Sequence, residues 1–373
     1  MPAVSSSPMP TRVPDTGILE VLDRVPDPRA RRGVRHRLAV ILSVALAAVC
    51  AGARSFTAIA EWAHDAPAEA LGTLGVADRV PSESTIRRTL ARVDATVLDQ
   101  AIGVWARLRT QVVDGRRVIA VDGKTLRGAK DAAGHLTHLL AALDQGSGVV
   151  LGQIEVGAKT NEIPLITDLL APFDLTDVVV TADALHCQRA TAEYIVGRGG
   201  HYVFTVKNNQ QALRNLLKTL PWNKIPVSSS IGGRGHGRRE RRTIKATEVA
   251  AGLGFPHATQ VLQVRRTITK GGRTSVEVVY LITSMPMVSA TPVQVAGWIR
   301  GHWSIENRLH WVRDVTFDED RSTIRTGTGP QVMATLRNTA VSVLRLAGHT
   351  SIAAALRHHS RDAHRPVGLL HAN

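Results

Sequence analysis

The sequence predicts an α/β protein in which a helical module precedes a mixed sheet. Residues 16–112 carry apolar residues at helical spacing and indicate an all-α, basic module. Beyond it, short continuous apolar runs, typical of buried strands, alternate with capped helical segments. A polar, glycine-marked and extended region at about 222–290 predicts a β-rich insertion, after which the chain returns to helix up to residue 346.

The composition favours a nucleic acid as partner. Lys and Arg total 46 against 31 Asp and Glu, which gives a net charge of +15 and an isoelectric point near 10.8. Aromatic residues make up 4% of the chain, which argues against a single-strand binder built on stacked rings and favours double-stranded DNA. With 44% hydrophobic residues, the chain is expected to fold around a large core.

Two features argue against membrane and disulfide-rich classes. The apolar run from Leu38 to Gly52 is shorter than the roughly twenty residues of a spanning helix and begins too late for a signal peptide, so it predicts a buried core helix and no membrane partner. Cys50 and Cys187 are too few for a disulfide framework or a four-thiolate zinc site. Both thiols are expected to be buried, in a protein of the cytoplasm.

Within the helical module, one stretch is a candidate for DNA recognition. Residues 82–92 begin with a good N-cap and place Arg87, Arg88 and Arg92 on an exposed face. This pattern fits the recognition helix of a helix-turn-helix, and an ordinary basic surface helix fits it equally well.

The two ends of the chain are expected to lie outside the fold. Residues 1–15 are rich in Pro and Ser and predict disorder. Residues 347–373 are expected to form a basic tail, which is mobile from Arg357.

The middle of the chain predicts a regular order of strands and helices. The runs that end in Asp122 and Asp183 are strands with an acid at the tip. Three antiparallel strands followed by βα units are the layout of a ribonuclease H-like domain, here placed at residues 113–346. The predicted strands are 118–123, 135–143, 149–156, 178–183 and 201–207, with helices at 161–170 and 188–196.

The start of the β-rich insertion is strongly basic. Residues 234–245 contain six Lys or Arg and one Glu. Such a run is often a solvated surface, but its place between strands and the net charge favour contact with DNA phosphates. The candidate contacts are Arg238, Arg239, Arg241 and Arg242.

A late helix at residues 302–313 has an apolar stripe beside a polar face. Ile305, Leu309 and Val312 form the stripe. The polar face holds His302, Glu306, His310 and Arg313. A carboxylate between cationic or hydrogen-bonding neighbours suits a metal-bound acid beside a polyanion, while a solvated helix with local charge pairs is the alternative.

Three carboxylates form the candidate catalytic site: Asp122, Asp183 and Glu306. Buried acids at strand tips are costly unless they are paired or metal-bound, so two of them in one basic chain suggest hard cations held by oxygen ligands. Two Mg²⁺ ions about 4 Å apart could activate water or a DNA 3′-hydroxyl and stabilise the leaving oxygen. Caps and turn acids are the structural alternative.

Two competing sites are weaker. A zinc site of His302, Glu306 and His310 is disfavoured because the two histidines are eight residues apart, whereas the helical zinc motif places them four apart. Residues 318–320 are three consecutive acids and favour a turn and cap cluster, one member of which could support the metal ligands.

Six short motifs are spread over nearly the whole chain and are far more specific together than any single acid. They are Val25-Pro26-Asp27-Pro28-Arg29, Ala120-Val121-Asp122-Gly123-Lys124, Lys159-Thr160-Asn161-Glu162-Ile163-Pro164, Asp183-Ala184-Leu185-His186-Cys187-Gln188, Lys207-Asn208-Asn209-Gln210, and His302-Trp303 through Glu306-Asn307 to Leu309-His310-Trp311. With them the sequence resembles the bacterial insertion-sequence DDE transposases, in the group that includes the H-repeat-associated proteins.

The resemblance implies a ribonuclease H-like catalytic domain, Mg²⁺ dependence, and cleavage and joining of DNA at terminal inverted repeats. It implies that Asp122, Asp183 and Glu306 are the catalytic triad and the ligands of two Mg²⁺ ions, for which Mn²⁺ can substitute. The expected partners are double-stranded DNA, as terminal inverted repeats and target, and a second copy of the chain in a homodimer. The expected location is the bacterial cytoplasm, in association with the nucleoid.

One departure from the family pattern concerns the surroundings of Glu306. Many related transposases carry Tyr, Arg and Lys seven before, four before and seven after this residue, where the chain has Ile299, His302 and Arg313. Arg313 keeps the charge, but the changes put in doubt how phosphate is held. The candidates for DNA contact or support of the metal ligands are Lys124, His302, Trp303, Asn307 and Arg313.

The sequence therefore predicts a DNA transposase, with two alternatives. One is a non-catalytic DNA-binding protein derived from a transposase, against which the presence of all three acids argues. The other is a ribonuclease H-like nuclease for repair or restriction, which would keep the metal chemistry without joining strands.

Overall fold

The computed structural model describes residues 16–32, 34–110, 112, 116–130, 134–157, 162–235, 237–249 and 253–373. The predicted disorder of residues 1–15 and the motif residues Lys159, Thr160 and Asn161 lie outside the described residues. The helices are α1 (Ile18–Asp23), α2 (Leu38–Cys50), α3 (Phe56–Asp65), α4 (Ala68–Thr73), α5 (Glu83–Leu90), α6 (Ala95–Arg109), α7 (Glu162–Leu170), α8 (Arg189–Gly197), α9 (Gln211–Thr219), α10 (Pro292–Ile305), α11 (Gly329–Leu346), α12 (Ile352–His359) and α13 (His364–His371).

Helix α2, formed by the long apolar run, lies inside the protein. Residues 40–50 are all buried, against α1, α3 and α11 among others. Among the described helices, none combines the length and the apolar character needed to cross a bilayer. Cys50, at the end of α2, and Cys187 are both buried free thiols.

Nine strands in the described residues form a single mixed sheet. They are β1 (Val118–Lys130), β2 (Leu136–Asp144), β3 (Val150–Val156), β4 (Val179–Ala182), β5 (His201–Val206), β6 (Ser229–Gly235), β7 (Arg238–Glu248), β8 (Gln260–Lys270) and β9 (Arg273–Thr283). Their order across the sheet is β3-β2-β1-β4-β5-β9-β8-β7-β6. Strands β1, β4 and β5 are parallel, and the other pairs are antiparallel.

The region expected to be an inserted β-rich unit continues the central sheet. Strand β9 pairs antiparallel with β5, where Val203 is opposite Thr283 and Val206 is opposite Tyr280. The hairpins β6–β7 and β8–β9 then carry the sheet outward. The basic run of residues 234–245 therefore lies on two paired strands and their turn.

Helix α11 joins the amino-terminal helices to the sheet. It is buried along most of its length and packs against α2 and α6 on one side and β3 on the other. Apolar residues of these elements belong to one continuous core, which includes Leu46, Trp105, Leu151 and Leu336.

The predicted tail at 347–373 is wrong, because the segment folds into α12 and α13. Ile352, Leu356, Val367 and Leu370 are buried, and α13 packs against α1, α2 and α4. The backbone carbonyl of Asn373 accepts a hydrogen bond from the Trp105 indole at 2.9 Å. The basic composition of this segment concealed an apolar stripe at helical spacing.

Candidate active site

Asp122 and Asp183 lie side by side at one edge of the sheet. Strands β1 and β4 are parallel, and Val121 is the register partner of Ala182. Asp122 directly follows Val121, and Asp183 directly follows Ala182. Both acids therefore come immediately after the last pair of residues that joins the two strands. The Asp183 carboxylate also accepts the Leu185 N–H at 2.8 Å, which fixes the turn that follows it.

Glu306 is carried over this edge by α10. A capping box of Thr291 and Gln294 starts the helix, and its apolar face packs on the sheet through Ile305, which lies in a cluster with Ala120. At Glu306 the helix widens into a π-helical turn, in which Trp311 donates its N–H to the Glu306 carbonyl. Such turns are frequent at functional sites.

The widened turn brings His310 into the acidic site. Its Nδ1 is 3.5 Å from Asp122 Oδ2 and 3.6 Å from Glu306 Oε2. One ligand atom from each of these three residues lies within 4.8 Å of the others, a set that could hold a metal ion. Asp183 lines the same cleft beside them. Sequence reasoning had placed His310 on the polar face of this helix and weighed it in the disfavoured zinc set, but had not named it as a candidate site residue.

The electrostatics of the cleft favour a bound cation. Burial, the Glu306 charge and the Asp183 charge raise the pKa of Asp122 to about 8. The hydrogen-bonding and charge interactions with His310 hold the pKa of Glu306 below its ordinary value. Several carboxylates crowded at one buried edge repel each other, and a divalent cation would relieve that repulsion.

His302 and Trp303, which were candidate site residues, also line the cleft from the α10 segment. His302 is buried, with its Nδ1 3.3 Å from the Thr181 hydroxyl, and burial lowers its pKa to about 4. The imidazole is therefore neutral at pH 7 and suits hydrogen bonding better than charge pairing with phosphate. Trp303 is 64% exposed and offers an indole at the cleft wall. Asn307 is also exposed, but it lies outside that cleft and donates to the Trp303 carbonyl at 3.0 Å.

The basic strand β7 presents its arginines on two faces. Side chains alternate along a strand, so Arg238 and Arg242 share one face and Arg239 and Arg241 share the other. Arg242 lines the acidic cleft. Of the four candidate DNA contacts, Arg242 therefore lies at the cleft, and Arg239 and Arg241 lie on the opposite face of the strand.

Ion pairs with Glu240 hold the arginines that line the cleft. Glu240 accepts from Arg242 at 2.6 Å and from Arg266, on β8, at 3.0 Å. The cleft wall also includes Arg300 and Lys207. Four cationic side chains thus border the carboxylates, an arrangement that suits a polyanion.

Two predicted phosphate contacts are used inside the protein instead. Lys124 is 8% exposed and its Nζ is 2.5 Å from an Asp314 carboxylate oxygen. Arg313 is fully buried and donates to Glu319 at 2.8 Å. Arg313, a candidate for DNA contact or for support of the metal ligands, is therefore not available at the surface to contact phosphate, because the π-helical turns from Glu306 onward move later residues off the face that a regular helix would give them.

The acidic run at 318–320 forms ion pairs with basic residues next to the segment that carries Glu306. Glu319 is 1% exposed and bridges Arg313 and Arg337, each at 2.8 Å. Asp320 is 3.9 Å from Lys124. These acids take structural roles within the described residues, in keeping with the turn and cap interpretation.

The recognition-helix candidates lie on the surface of the amino-terminal helices. Arg87 pairs with Glu83 at 3.1 Å, and Arg88 donates to a backbone carbonyl one turn earlier. Arg92 lies after α5, which ends at Leu90, and donates to the Pro28 carbonyl at 3.2 Å. All three are exposed, but Arg92 does not share the helix with the other two.

Sequence reasoning missed a second polar cluster next to Asp122. Glu162 Oε2 lies 3.2 Å from His138 Nε2 and 3.9 Å from His186 Nε2. The same carboxylate covers Gly123, where an added Cβ would lie 1.9 Å from Oε2. The motif around Glu162 was recognised, but only contacts between distant segments reveal what its acid touches.

The amino-acid sequence matches two protein families. Residues 114–343 match the family described as "Transposase DDE domain", and residues 19–106 match the one described as "DDE_Tnp_1-associated". The first match covers more than half of the chain. The protein therefore belongs to the DDE transposases.

Similar proteins carry names that agree with this family. The chain is 31% identical over 348 residues to "Putative transposase YncI" of Escherichia coli O157:H7, covering 88% of this chain and 87% of that protein. It is 29% identical over 348 residues to "H repeat-associated putative transposase YhhI" of Escherichia coli K12, covering 88% and 90%. The expected membership of the group with the H-repeat-associated proteins is confirmed.

A solved structure, of a piggyBac transposase synaptic complex with hairpin DNA, is also similar. It has a TM-score of 0.45 and 11% sequence identity, over 95% of this chain and 76% of that chain. That likeness is too weak to support any inference about this protein.

Proposed function

We propose that this transposase cleaves DNA at the terminal inverted repeats of an insertion sequence and joins the ends to target DNA by metal-dependent phosphoryl transfer. The observation that carries the proposal is the convergence of Asp122, Asp183 and Glu306 in one basic cleft. Asp122 and Asp183 follow adjacent parallel strands, and Glu306 comes from the π-helical turn of α10.

The chemistry of this donor set fits Mg²⁺, with Mn²⁺ as a substitute. Asp122 and Asp183 would hold the ions, and Glu306 would complete the ligand set. Two bound ions would polarise the attacking and leaving oxygens of a phosphodiester. The raised pKa of Asp122 supports the fit, because a carboxyl that is hard to ionise alone becomes a good ligand when a cation offsets the neighbouring charges.

The protein's own residues would bind and orient the DNA. Arg242, Arg266, Arg300 and Lys207 line the cleft and provide positive charge around the carboxylates. Neutral His302 and the Trp303 indole add hydrogen-bonding and stacking surfaces near Glu306. The exposed Arg87, Arg88 and Arg92 are the proposed DNA contacts of the amino-terminal helices.

The fold supports a ribonuclease H-like interpretation of residues 113–346. Three antiparallel strands, β3-β2-β1, continue into parallel β4 and β5. We infer that the helical residues 16–112 form an associated DNA-binding module. Synapsis of two ends requires two active sites, so we propose that the protein acts as a homodimer on DNA.

Joining of labelled inverted-repeat ends to a target plasmid tests this function. A transposase gives cut ends and joined products, a nuclease gives cuts alone, and a DNA-binding relative gives neither. We expect joined products with the natural chain and none with Asp183→Asn. The exposed acid variant Glu61→Gln is the matched control and should join as well as the natural chain.

A further inference from the structure

His310 is buried beside two acids of the cleft, with one ring nitrogen toward both of them. The residue is 4% exposed, so its ring is fixed by the surrounding protein. Its Nδ1 lies 3.5 Å from Asp122 Oδ2 and 3.6 Å from Glu306 Oε2. The residue reaches this position because it belongs to the same π-helical turn as Glu306.

These separations are those of neighbouring metal ligands. A full-strength N–H···O hydrogen bond spans about 2.7 to 3.2 Å, so the contact with Glu306 that lowers the pKa of this acid is a long and weak hydrogen bond. Ligand atoms about 2 to 2.5 Å from one ion lie about 3 to 4 Å from each other. The Nδ1 atom and the two carboxylate oxygens therefore already have the spacing of a shared coordination shell.

The other side of the ring makes no competing bond. Within the described parts of the chain, the buried Nε2 of His310 has no hydrogen-bond partner. The two carboxylates lie within 4 Å of Nδ1, and the cations Arg313 and Lys124 also act on the ring electrostatically. Nε2 thus does not anchor the ring to another element, and the ring is held by its packing and by its contacts with the two acids.

We propose that His310 is a nitrogen ligand of the ion held by Asp122 and Glu306. The proposal rests on the proposed metal-dependent function and refines the composition of that site. Mg²⁺ strongly prefers oxygen ligands. Mn²⁺ belongs to the first-row transition metals, and it accepts an imidazole nitrogen more readily than Mg²⁺ does. The mixed nitrogen and oxygen set therefore favours Mn²⁺ over Mg²⁺, relative to a site of carboxylates alone.

Electron spin echo spectroscopy of Mn²⁺ bound to the full-length protein tests the ligand directly. A coordinated imidazole gives a ¹⁴N coupling to Mn²⁺, which is independent of any DNA reaction. We expect this coupling in the natural chain, its loss in His310→Ala, and its retention in His302→Ala, which removes the other buried histidine of the same segment. We also expect His310→Ala to lower Mn²⁺ affinity about tenfold or more while changing Mg²⁺ affinity much less.

The outcomes separate this inference from the function on which it rests. If Mn²⁺ binds and Glu306→Gln weakens it, but the natural chain shows no ¹⁴N coupling, His310 is not a ligand and the carboxylate site stands. If Glu306→Gln binds Mn²⁺ as tightly as the natural chain, the proposed metal site itself is wrong. Should His310→Ala fail to fold, the natural chain labelled with ¹⁵N-histidine replaces it. If the labelled protein still shows the ¹⁴N coupling, the coordinating nitrogen does not belong to histidine and the proposal is overturned.

Discussion

Gly123 follows Asp122 in β1, and the Glu162 carboxylate occupies the space where a side chain would begin. An added Cβ would lie 1.9 Å from Glu162 Oε2 and 2.7 Å from His138 Nε2. Glu162 also approaches His186, three residues after Asp183. The glycine thus lets one acid on α7 pack against the strand and the turn that carry the two aspartates.

Gly123→Ala should therefore disturb the site as well as the fold. Because Glu162 must move, we expect a decrease of about 1 to 3 kcal/mol in the free energy of unfolding. DNA cleavage should fall further than this decrease in stability explains. Thermal unfolding and end cleavage measure the two effects. Gly233→Ala, in a strand where a Cβ meets no atom within 4 Å, is the control, and equal behaviour of the two variants would contradict the packing argument.

Asp99 is a buried acid away from the cleft that should make stability depend on pH. Burial raises its pKa to about 7, although Thr335 and Gln153 donate hydrogen bonds to it. The folded protein therefore holds a proton that the unfolded chain releases near pH 4. Stability contributed by this group is complete below about pH 4 and is lost as the pH rises to about 7.

Asp99→Asn should remove this pH dependence. An amide can donate to the Thr335 hydroxyl, whose single hydrogen is then free for the Gln331 carbonyl. We expect the variant to be more stable than the natural chain by about 1 to 2 kcal/mol at pH 8, and nearly equal to it at pH 4. Denaturant unfolding at the two pH values measures this. Asp168→Asn, at an exposed acid, is the control; a variant less stable at both pH values would refute the buried-proton account.

Single residues were predictable where one local pattern set their place. Asp122 and Asp183 could be found because each ends a continuous apolar run, and Glu306 because it lies beside an apolar helical stripe. The surroundings of His310 and Arg313 were not predictable, since the periodicity of a regular helix gives no sign of the π-helical turns that contain them. The partners of Glu162 were not predictable, because they come from distant parts of the chain.

In strand β7, the alternation of side chains determines which arginines face the cleft. Its register with β8 runs from Arg238 opposite Lys270 to Glu248 opposite Gln260 without interruption. The alternation of faces is therefore continuous along the strand. Arg242 lies on the cleft side, and Arg239 and Arg241 lie on the opposite side.

Two double variants of equal charge separate these faces. Replacing Arg238 and Arg242 together by Ala should reduce end cleavage. It should also make the slope of log K for DNA binding against log salt concentration shallower, by about 0.9 for each phosphate that is no longer neutralised. Replacing Arg239 and Arg241 together removes the same charge from the other face and should affect cleavage much less. Cleavage and binding are measured at several salt concentrations. Equal effects of the two variants would show that net charge, rather than the cleft face, matters.

Most elements were predictable, and the pairing of the later ones was not. Four of the first five strands lie within one residue of their predicted bounds, because continuous apolar runs between turns are a strong local signal, whereas β1 runs to Lys130, seven residues past its predicted end. Nothing local indicates that β9 pairs with β5, which turns a supposed insertion into the far half of one sheet. The segment of α12 and α13 was predicted to be a tail because of its basic composition. It folds because its apolar residues form a stripe that packs against the rest of the protein.

At the scale of the whole molecule, the helix that carries Glu306 is tied to distant parts of the chain. Glu319 bridges buried Arg313 and Arg337, and Arg337 donates to the Arg54 carbonyl of the amino-terminal region. A buried pair of this kind is costly to break, because a lone charge remains inside. The network connects the acidic cleft to the amino-terminal helices through α11.

Part of the net charge of +15 forms the arginine wall of the cleft. Overall charge and family resemblance were readable from the sequence, and they led to the correct protein family. The single core shared by the amino-terminal helices and the sheet was not, since shared packing depends on contacts between remote segments.

Cleavage of a supercoiled plasmid that carries the element's ends, with Mg²⁺ present, tests the central claim most directly. The comparison is between the natural chain and Glu306→Gln, which keeps the shape of the side chain and removes its charge. We predict that the natural chain cuts at the ends and that the variant binds the ends without cutting. Cutting by both proteins at equal rates would contradict the assignment of Glu306 to the metal site.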